Sequence, residues 1–418
     1  MSLTEAKRRD AENPLSEYRE RFFIPQETIY LDGNSLGLFS VDAEQALSRA
    51  IGQWQTLGIK GWLEADPPWF YLGELLGQYQ SPLMGCDPQE VVAASSTTVN
   101  LHQLVGTFFS PNGRRTKILA DELNFPSDLY ALASQLRLRG LDPEEHLILA
   151  KSQDGRTLDE NELIDAMSDE VALILLPSVL YRSGQLLDME TLTQAAHQRG
   201  IIIGFDCSHS AGAMPHQLSD WAVDFAFWCT YKYLNSGPGG LASLYVNQAH
   251  FDRLPALAGW WGSNKERQFD MAVEFSPAQS AGAWQISTPP ILSAAPLLGS
   301  LKMFQEADIF TIRQTSIQMT QFLINGITEH LLPRGMTVGS PRAPHRRGGH
   351  VALEHPQAKA LFEKLTQRGV VADYRPPNVI RLAPVALYNQ FVEIWEVIEI
   401  LAQLLDSNGI SKPDDVRT

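Results

Sequence analysis

Between about residue 91 and residue 246, short apolar runs alternate with longer stretches of helical spacing. The apolar runs predict buried strands at 117–121, 146–150, 171–177, 201–206, 224–229 and 241–246. Several are almost entirely apolar, as expected for strands of a parallel sheet that helices cover on both faces. The helical stretches between them are 125–140, 159–168 and 188–200. This alternation predicts an α/β domain with a mostly parallel, seven-stranded type of sheet.

The pattern changes after about residue 295. One long helical stretch, 300–331, is followed by three strand-like runs and two amphipathic stretches, which are 336–340, 350–355, 379–384, 357–368 and 388–405. These elements predict a smaller C-terminal α+β domain. We therefore expect an N-terminal segment, 1–55, that packs against either domain, a large α/β domain, 56–295, and a small domain, 296–418.

Composition narrows the class of partner. A net charge of -15 over 418 residues disfavours nucleic acid and anionic membranes, although it does not exclude a small anionic ligand. No apolar run reaches the ~20 residues of a membrane helix, and the first residues lack the apolar stretch of a secretion signal. Cys86, Cys207 and Cys229 are too few for a disulfide framework. These features predict a cytoplasmic location.

The strongest chemical signal lies in residues 204–240. Asp206 ends an apolar strand, His209 follows it, and Tyr231 and Lys232 lie between a second apolar strand and a Gly-rich turn. Pyridoxal 5'-phosphate (PLP) requires a lysine that holds its aldehyde and a buried carboxylate that keeps its ring nitrogen protonated. Each residue alone has a plainer explanation, namely a turn cap for Asp206 or a solvent-facing lysine. In this order and spacing they predict a PLP site.

Three further sites each leave two interpretations open. Thr97 and Thr98 precede an apolar helical run, where they could cap a helix or bind a phosphate. Phe125, before Asp128, could stack on a pyridine ring or form a hydrophobic staple. Arg381, in a strand-like run, could grip a substrate carboxylate or form a structural salt bridge.

Several motifs, taken together and in order, resemble the kynureninase family. They are LDGNSLG (31–37), TVNLH (98–102), FPSD (125–128), the 204–240 block, GWWG (259–262), TPPIL (288–292) and RPPNVIRLAPVALYN (375–389). The resemblance runs nearly from end to end. It implies a PLP-dependent enzyme of the aspartate-aminotransferase fold type, fold type I, that works as a homodimer.

The resemblance also implies roles for individual residues. Lys232 would form the Schiff base and shuttle protons, Asp206 would pair with the pyridinium, and Tyr231 would bind the phosphate and assist acid–base steps. The implied cofactor-binding set is Thr97, Thr98, Phe125, Asp128, Asp206, His209, Tyr231 and Lys232, with Trp260 and Thr288 reaching the site from the second subunit. Arg381 would hold the substrate α-carboxylate, and Asn34 and Trp62 would also contact substrate.

The implied reaction is hydrolysis of L-kynurenine to anthranilate and L-alanine. Animal members, which favour the 3-hydroxy substrate, have Asn where this chain has Thr288, and the resemblance implies that Trp62 would fill the aryl-facing side as in bacterial members. We therefore expect a preference for kynurenine without the hydroxyl group.

Other enzymes of the same fold type remain to be weighed. A cysteine desulfurase needs a nucleophilic Cys late in the chain, and no cysteine follows Cys229. Members of that group also usually carry His, not Tyr, before the lysine. An aminotransferase would use the same Lys232, Asp206 and Arg381 and stays open. A catalytically idle regulator would be expected to lack one of these three residues.

Overall fold

The computed structural model describes residues 1–407. The strands are β1 Ile29–Tyr30, β2 Val91–Ala93, β3 Lys117–Asp121, β4 Leu147–Ala150, β5 Val171–Pro177, β6 Ile202–Asp206, β7 Phe225–Trp228, β8 Ser243–Val246, β9 Thr337–Val338, β10 Val351–Glu354, β11 Val370–Val371, β12 Asp373–Arg375 and β13 Val379–Leu382. The helices are α1 Leu3–Ala11, α2 Val41–Leu57, α3 Gly61–Glu64, α4 Leu72–Met84, α5 Thr97–Phe108, α6 Pro126–Leu138, α7 Pro143–His146, α8 Glu160–Asp165, α9 Met189–Gln198, α10 Ile291–Ala307, α11 Ile309–Gly326, α12 Ala358–Gln367 and α13 Phe391–Ser407.

Seven strands form the large sheet in the order β2-β8-β7-β6-β5-β3-β4. Strands β3 to β7 are mutually parallel, while β8 pairs antiparallel with both β7 and β2. The predicted α/β fold class is therefore confirmed. Six of these strands were predicted from the sequence. The strand β2 was not, because a run of three residues is too short to show a period.

Both faces of this sheet are buried, which explains the nearly continuous apolar runs. Along β6 and β5, alternate residues enter different cores: Ile203 and Ile174 pack with α4, α9 and α10, whereas Leu173 and Leu175 pack with α5 and α6. Because every second side chain is needed by one face and the rest by the other, polar residues are excluded from the strand interior.

The small sheet, in the order β12-β13-β10-β9, is antiparallel and packs against α11, α12 and α13 around a separate core. The N-terminal segment contacts both regions. Asp10 of α1 accepts hydrogen bonds from the backbone N–H groups of Phe391 and Val392 at the start of α13, and α2 packs on α10. In addition, β1 pairs with β11.

The prediction of one long helix over 300–331 is wrong. The helix α10 ends at Ala307, and Asp308 adopts a positive φ of 58° before α11 begins. The Asp308 carboxylate accepts a hydrogen bond from the Thr311 backbone N–H, so it caps the new helix. The last turn, Ile327–Leu331, is a π-helix. The apolar period continues through this break, because ending one helix and capping the next requires only one short polar side chain, that of Asp308. The sequence pattern therefore does not reveal the break.

The predicted domain boundaries at 55 and 295 remain predictions. Two helices, α2 and α10, run through these positions. Residues 408–418, the end of the predicted small domain, lie outside the described residues. Within residues 1–407, no helix combines the length and apolar character needed to cross a bilayer.

Candidate active site

A cavity of about 500 Å³, including its open mouth, lies at the carboxyl edge of the large sheet. Its walls are the segments that follow β2, β3, β5, β6 and β7. The lining residues are Thr97, Thr98, Phe125, Ser127, Asp128, Pro177, Val179, Tyr181, Asp206, Ser208, His209, Tyr231 and Lys232. An open α/β sheet places its ligand crevice at this edge. The cavity thus gathers most of the cofactor-binding residues named from the sequence.

Lys232 follows β7 and faces His209, which follows the neighbouring strand β6. The Lys232 Nζ lies 3.0 Å from Nε2 of His209, while Nδ1 of His209 is buried without a partner among the described residues. Burial and the nearby Lys232 charge hold the pKa of His209 well below its usual value. The neutral imidazole therefore accepts a hydrogen bond from the ammonium group and does not compete for its proton.

Two carboxyl groups, Asp206 and Asp128, lie against each other on the same wall. The Asp206 Oδ1 accepts a hydrogen bond from the Ser208 N–H at 2.8 Å, and Oδ2 of Asp128 is buried without a partner in the described part of the chain. Burial first, and the Asp206 charge second, raise the pKa of Asp128 well above its usual value. Paired buried carboxyls with unfilled acceptor capacity fit a ligand that presents a cationic N–H.

The N-terminus of α5 forms another part of the wall. Ser96 is the N-cap residue, yet its side chain makes no capping hydrogen bond, so the first N–H groups of the helix lack that partner. Thr98 Oγ1 lies 2.8 Å from Ser127 Oγ. Unfilled N–H groups together with these hydroxyls fit a phosphate. The capping interpretation of Thr97 and Thr98 does not apply, because both lie inside the helix.

Phe125 stands at the cavity mouth as the N-cap residue of α6. Its ring meets that of Tyr181 edge-on, with centroids 5.4 Å apart, and the residue is 41% exposed. One face is therefore available to a planar ligand. The ring is not buried in a staple, so a stacking role stays the better prediction.

The loop after β1 packs against the segment that carries Lys232. The Gly37 N–H donates to the Tyr231 carbonyl at 2.8 Å, and a Cβ at Gly37 would lie 2.4 Å from the Lys232 carbonyl oxygen. Asn34 is completely buried, and neither atom of its amide has a partner in residues 1–407. Only glycine fits at position 37, and Asn34 retains its full hydrogen-bonding capacity.

Arg381 is buried in β13 and reaches the cavity wall through Tyr181. Its Nη1 donates to the Tyr181 carbonyl at 2.5 Å, and its Nη2 donates to the Asp373 carboxylate. Its Nε–H is buried without a partner within the described residues. The structural salt bridge weighed from the sequence is therefore present, and donors remain for a second carboxylate.

Comparison with known proteins decides the family. A family model described as the kynureninase C-terminal domain matches residues 312–401. The kynureninase of Geobacillus thermodenitrificans (strain NG80-2) is 53% identical over 411 residues, which is 98% of this chain and 96% of that protein. The kynureninase of Bacillus anthracis is 54% identical over 396 residues, 95% of this chain and 92% of that one. The chain belongs to the kynureninase family.

Solved structures with the same fold are more distant in sequence. The apo cysteine desulfurase of Thermococcus onnurineus NA1 has a TM-score of 0.80 at 18% identity, covering 93% of this chain and 98% of that one. The cystine C–S lyase C-DES, with glycine linked covalently to its PLP cofactor, has a TM-score of 0.79 at 18% identity, covering 92% and 98%. These likenesses bear on the fold alone and confirm the predicted fold type.

The predicted kynureninase resemblance is confirmed, whereas the individual site roles remain predictions. Trp62, Trp260 and Thr288 do not line the cavity of their own chain. Trp260 is 46% exposed, and Thr288 lies in an exposed stretch before α10. Trp62 borders a separate apolar surface cleft with Trp54, Trp69, Ile291 and Leu292. These residues thus lie on the outer surface of the single chain.

Sequence analysis missed Tyr181 and His350. Tyr181 follows the predicted strand 171–177, so the strand-end rule that singled out Asp206 would also have found it. His350 is completely buried beside His209, with ring centroids 5.7 Å apart, and neither of its ring nitrogens has a partner in the described residues. Its segment, after a basic loop, gave no signal of this proximity.

Proposed function

We propose that this protein is a kynureninase that uses PLP to hydrolyse L-kynurenine to anthranilate and L-alanine. The observation that carries the proposal is identity of 53% over 98% of the chain to a kynureninase, combined with a lysine-centred cavity at the carboxyl edge of the sheet. When bound, PLP supplies an electron sink next to the substrate α-carbon.

The residues of the cavity fit this cofactor. Lys232 would hold its aldehyde carbon, and Asp206 with Asp128 would face its protonated ring nitrogen. The N-terminus of α5 with Thr97 and Thr98 would hold the phosphate, joined by the Tyr231 hydroxyl. The ring of Phe125 would cover one face of the pyridine. The site thus offers acceptors, donors and a flat apolar face where PLP presents their complements.

Proton movements would fall to Lys232 and Tyr231. Released from the cofactor, the Lys232 amine would take a proton from the substrate α-carbon, and neutral His209 would orient the amine through its hydrogen bond. Burial raises the pKa of Tyr231 well above its usual range, so its phenol keeps a proton to donate. Arg381 would hold the α-carboxylate, and Asn34 would supply a buried polar contact.

A homodimer with a shared active site would explain the outward position of Trp260 and Thr288. Monomeric proteins rarely expose clustered large apolar side chains, and Trp54, Phe269 and Met271 are all more than half exposed. In the proposed dimer, Trp260 and Thr288 of one subunit complete the cavity of the other.

Mixing two defective variants tests this sharing. Lys232→Ala and Trp260→Ala are each expected to be weakly active alone, because each dimer carries the defect at both sites. Mixed dimers contain one site with both native residues, so activity should return on subunit exchange. Activity that stays at the level of the separate variants, although mass measurement shows mixed dimers, would rule out a shared site.

The preference for kynurenine over 3-hydroxykynurenine also belongs to the proposal. Trp62 lines a cleft that Ile291 also lines, and Ile291 follows Thr288 closely in the chain. Thr288 and Trp62, the residues to which the resemblance assigns the aryl ring, therefore lie on the same side of the molecule. We expect kcat/KM to be higher for kynurenine and Thr288→Asn to narrow the difference. A higher kcat/KM for 3-hydroxykynurenine in the native enzyme would contradict this preference.

Cytoplasmic location is proposed on the state of the cysteines. Cys207 and Cys229 are buried free thiols, and burial raises their pKa values above the usual range. Protonated thiols inside a core persist in a reducing compartment. The same observation disfavours a desulfurase mechanism, which needs an accessible thiolate.

The decisive assay follows anthranilate fluorescence after L-kynurenine is added to the protein with PLP. Steady release of anthranilate, with L-alanine in equal amount, is expected. An aminotransferase would instead retain the substrate nitrogen on the cofactor and turn over only with a keto-acid acceptor. Turnover that depends on such an acceptor and yields no anthranilate would therefore replace the proposed function.

A further inference from the structure

Some hydrogen-bond donors of the Arg381 guanidinium have partners in the protein, and others do not. Its side chain is 1% exposed, and Nη2 donates both to Asp373 and, at 3.2 Å, to the Ser35 hydroxyl. The Nη1 group donates to the Tyr181 carbonyl, but Nε has no partner in the described chain. A guanidinium that only stabilised the fold would be expected to fill its buried donors.

Asp373 is the centre of the arrangement that holds this guanidinium. It lies directly opposite Arg381 in the register of β12 and β13. Its Oδ2 also accepts from the Arg375 Nη2 at 2.8 Å and from the Ser35 hydroxyl at 3.1 Å. One carboxylate oxygen thus fixes donors from β13, β12 and the loop after β1.

We propose that Asp373 is a positioning residue that orients Arg381 to receive the substrate α-carboxylate. This inference rests on the function proposed above, because it assigns Arg381 to that carboxylate. Asp373 does not touch substrate, and it acts by holding one edge of the guanidinium so that the remaining donors stay free for the carboxylate.

A competing partner explains why Arg381 needs this restraint. Asp32 is half-buried, its buried Oδ1 has no partner within residues 1–407, and its charge attracts Arg381. The charge of Arg375 repels that of Arg381. Without the Asp373 charge, Asp32 remains as a carboxylate that attracts the buried guanidinium, and we expect Arg381 to shift toward it.

A series of contacts connects Arg381 to the part of the cavity wall that carries Phe125. Arg381 holds the Tyr181 carbonyl, Arg375 lies 5.8 Å from the centre of the Tyr181 ring, and that ring contacts Phe125. The carboxylate-binding end and the predicted stacking ring are therefore parts of one packed wall.

Binding of L-alanine and L-alaninamide to the holoenzyme separates positioning from general damage. Both ligands carry the same amine and methyl group, but only L-alanine carries a carboxylate, and the cofactor absorbance reports both. For Asp373→Asn we expect the preference for L-alanine to fall by about tenfold to 100-fold, with little change in L-alaninamide binding. KM for kynurenine should rise much more than kcat falls.

Glu354→Gln is the matched control. Glu354 is a buried carboxylate of the same sheet, and it pairs with Arg156. Neutralising it perturbs an ion pair of the same sheet, although its arginine is half exposed, so thermal stability should fall while the preference for L-alanine stays unchanged. Ser35→Ala serves as a second variant should Asp373→Asn not fold. It removes one contact to each of Asp373 and Arg381 and should reduce the preference to a smaller degree.

An unchanged preference in Asp373→Asn would overturn the inference, since Asp373 would then be a structural partner only. A stronger preference would also overturn it, because Asp373 would then compete with substrate. Equal affinity of the native holoenzyme for both ligands would remove the role of Arg381 and that of Asp373 with it. Absence of anthranilate formation, with the L-alanine preference intact, would instead refute the proposed reaction and leave the positioning role standing.

Discussion

Buried carboxylates at the two edges of the large sheet differ in their hydrogen-bond partners. Asp224, just before β7 at the amino edge, accepts hydrogen bonds from His197 at 3.0 Å, His250 at 2.7 Å and the Ile203 N–H at 2.8 Å. Asp206, at the carboxyl edge, accepts one backbone N–H and otherwise faces another acid, Asp128. The first carboxylate is satisfied by the protein alone, whereas the second belongs to a carboxyl pair in which Oδ2 of Asp128 has no partner within residues 1–407.

This contrast separates stability from function. A buried charge with internal partners stabilises the native state, and a buried charge without them costs free energy unless a ligand supplies the partner. Sites with perturbed, unsatisfied groups at a cleft are where activity is expected. The amino edge therefore contributes to folding, and the carboxyl edge is reserved for cofactor and substrate.

Replacing a lysine at each edge gives the largest expected difference. Lys232→Ala should lower kcat by about 10³-fold or more, because the α-carbon loses its base. Lys117→Ala removes a lysine that pairs with Glu170 at the amino edge and should leave kcat nearly unchanged. Anthranilate fluorescence measures both variants. Comparable losses of kcat in the two variants would show that catalysis does not depend on which edge of the sheet carries the lysine.

Replacing the two aspartates should reverse the order of activity and stability. Asp206→Asn is expected to lower kcat by about 10²–10³-fold while leaving thermal stability similar, because it relieves repulsion with Asp128. Asp224→Asn should lower the free energy of unfolding by about 1–3 kcal/mol. We expect a value at the lower end of that range, because His197 is more than a third exposed. Kinetics of the holoenzyme and thermal melts of the cofactor-free protein distinguish these outcomes. Equal effects on both quantities would contradict the contrast.

A substitution behind Lys232 tests how tightly the carboxyl edge is fixed. The Cβ of Gly37→Ala would lie 2.4 Å from the Lys232 carbonyl and 2.2 Å from the Asn235 Oδ1, so the lysine segment must shift. We expect kcat to fall by about tenfold to 100-fold. Gly52→Ala, in α2, meets nothing within 4 Å and should leave kcat unchanged. A fully active Gly37→Ala enzyme would mean that this segment tolerates displacement.

The smallest expected effect is the pH dependence of the Asp224 cluster. Burial opposes ionisation of Asp224, but hydrogen bonds from His197 and His250 hold its pKa below the usual value. The hydrogen bond to Asp224 raises the pKa of His197, against the effect of burial. The Asp224 contribution is lost as pH falls through its lowered pKa, and the His197 contribution is lost as pH rises through its raised pKa.

The stabilisation should therefore be greatest between about pH 4 and 6.5, the unperturbed pKa values of the two groups. Thermal midpoints of the native protein and Asp224→Asn, measured from pH 3 to 9, should differ most inside that window. A difference that is constant across this range would show that the cluster is not linked to protonation.

The sequence predicted the elements that depend on local pattern. Strands β3 to β8 and the residues Asp206 and Lys232 at their ends follow from apolar runs bounded by polar residues. The break at Asp308 could not be predicted, because the apolar period continues through it. The contact of Asp373 with Arg381 depends on strand register, and His350 reaches His209 only through tertiary packing, so no local pattern signals either one.

The most direct test of the account is borohydride reduction of the PLP-loaded protein, followed by mass analysis of its peptides. We expect a phosphopyridoxyl group on Lys232 and none on Lys117, the lysine at the amino edge. Attachment to another lysine, or loss of cofactor without covalent attachment in an enzyme that still releases anthranilate, would contradict the assignment of the carboxyl-edge cavity as the active site.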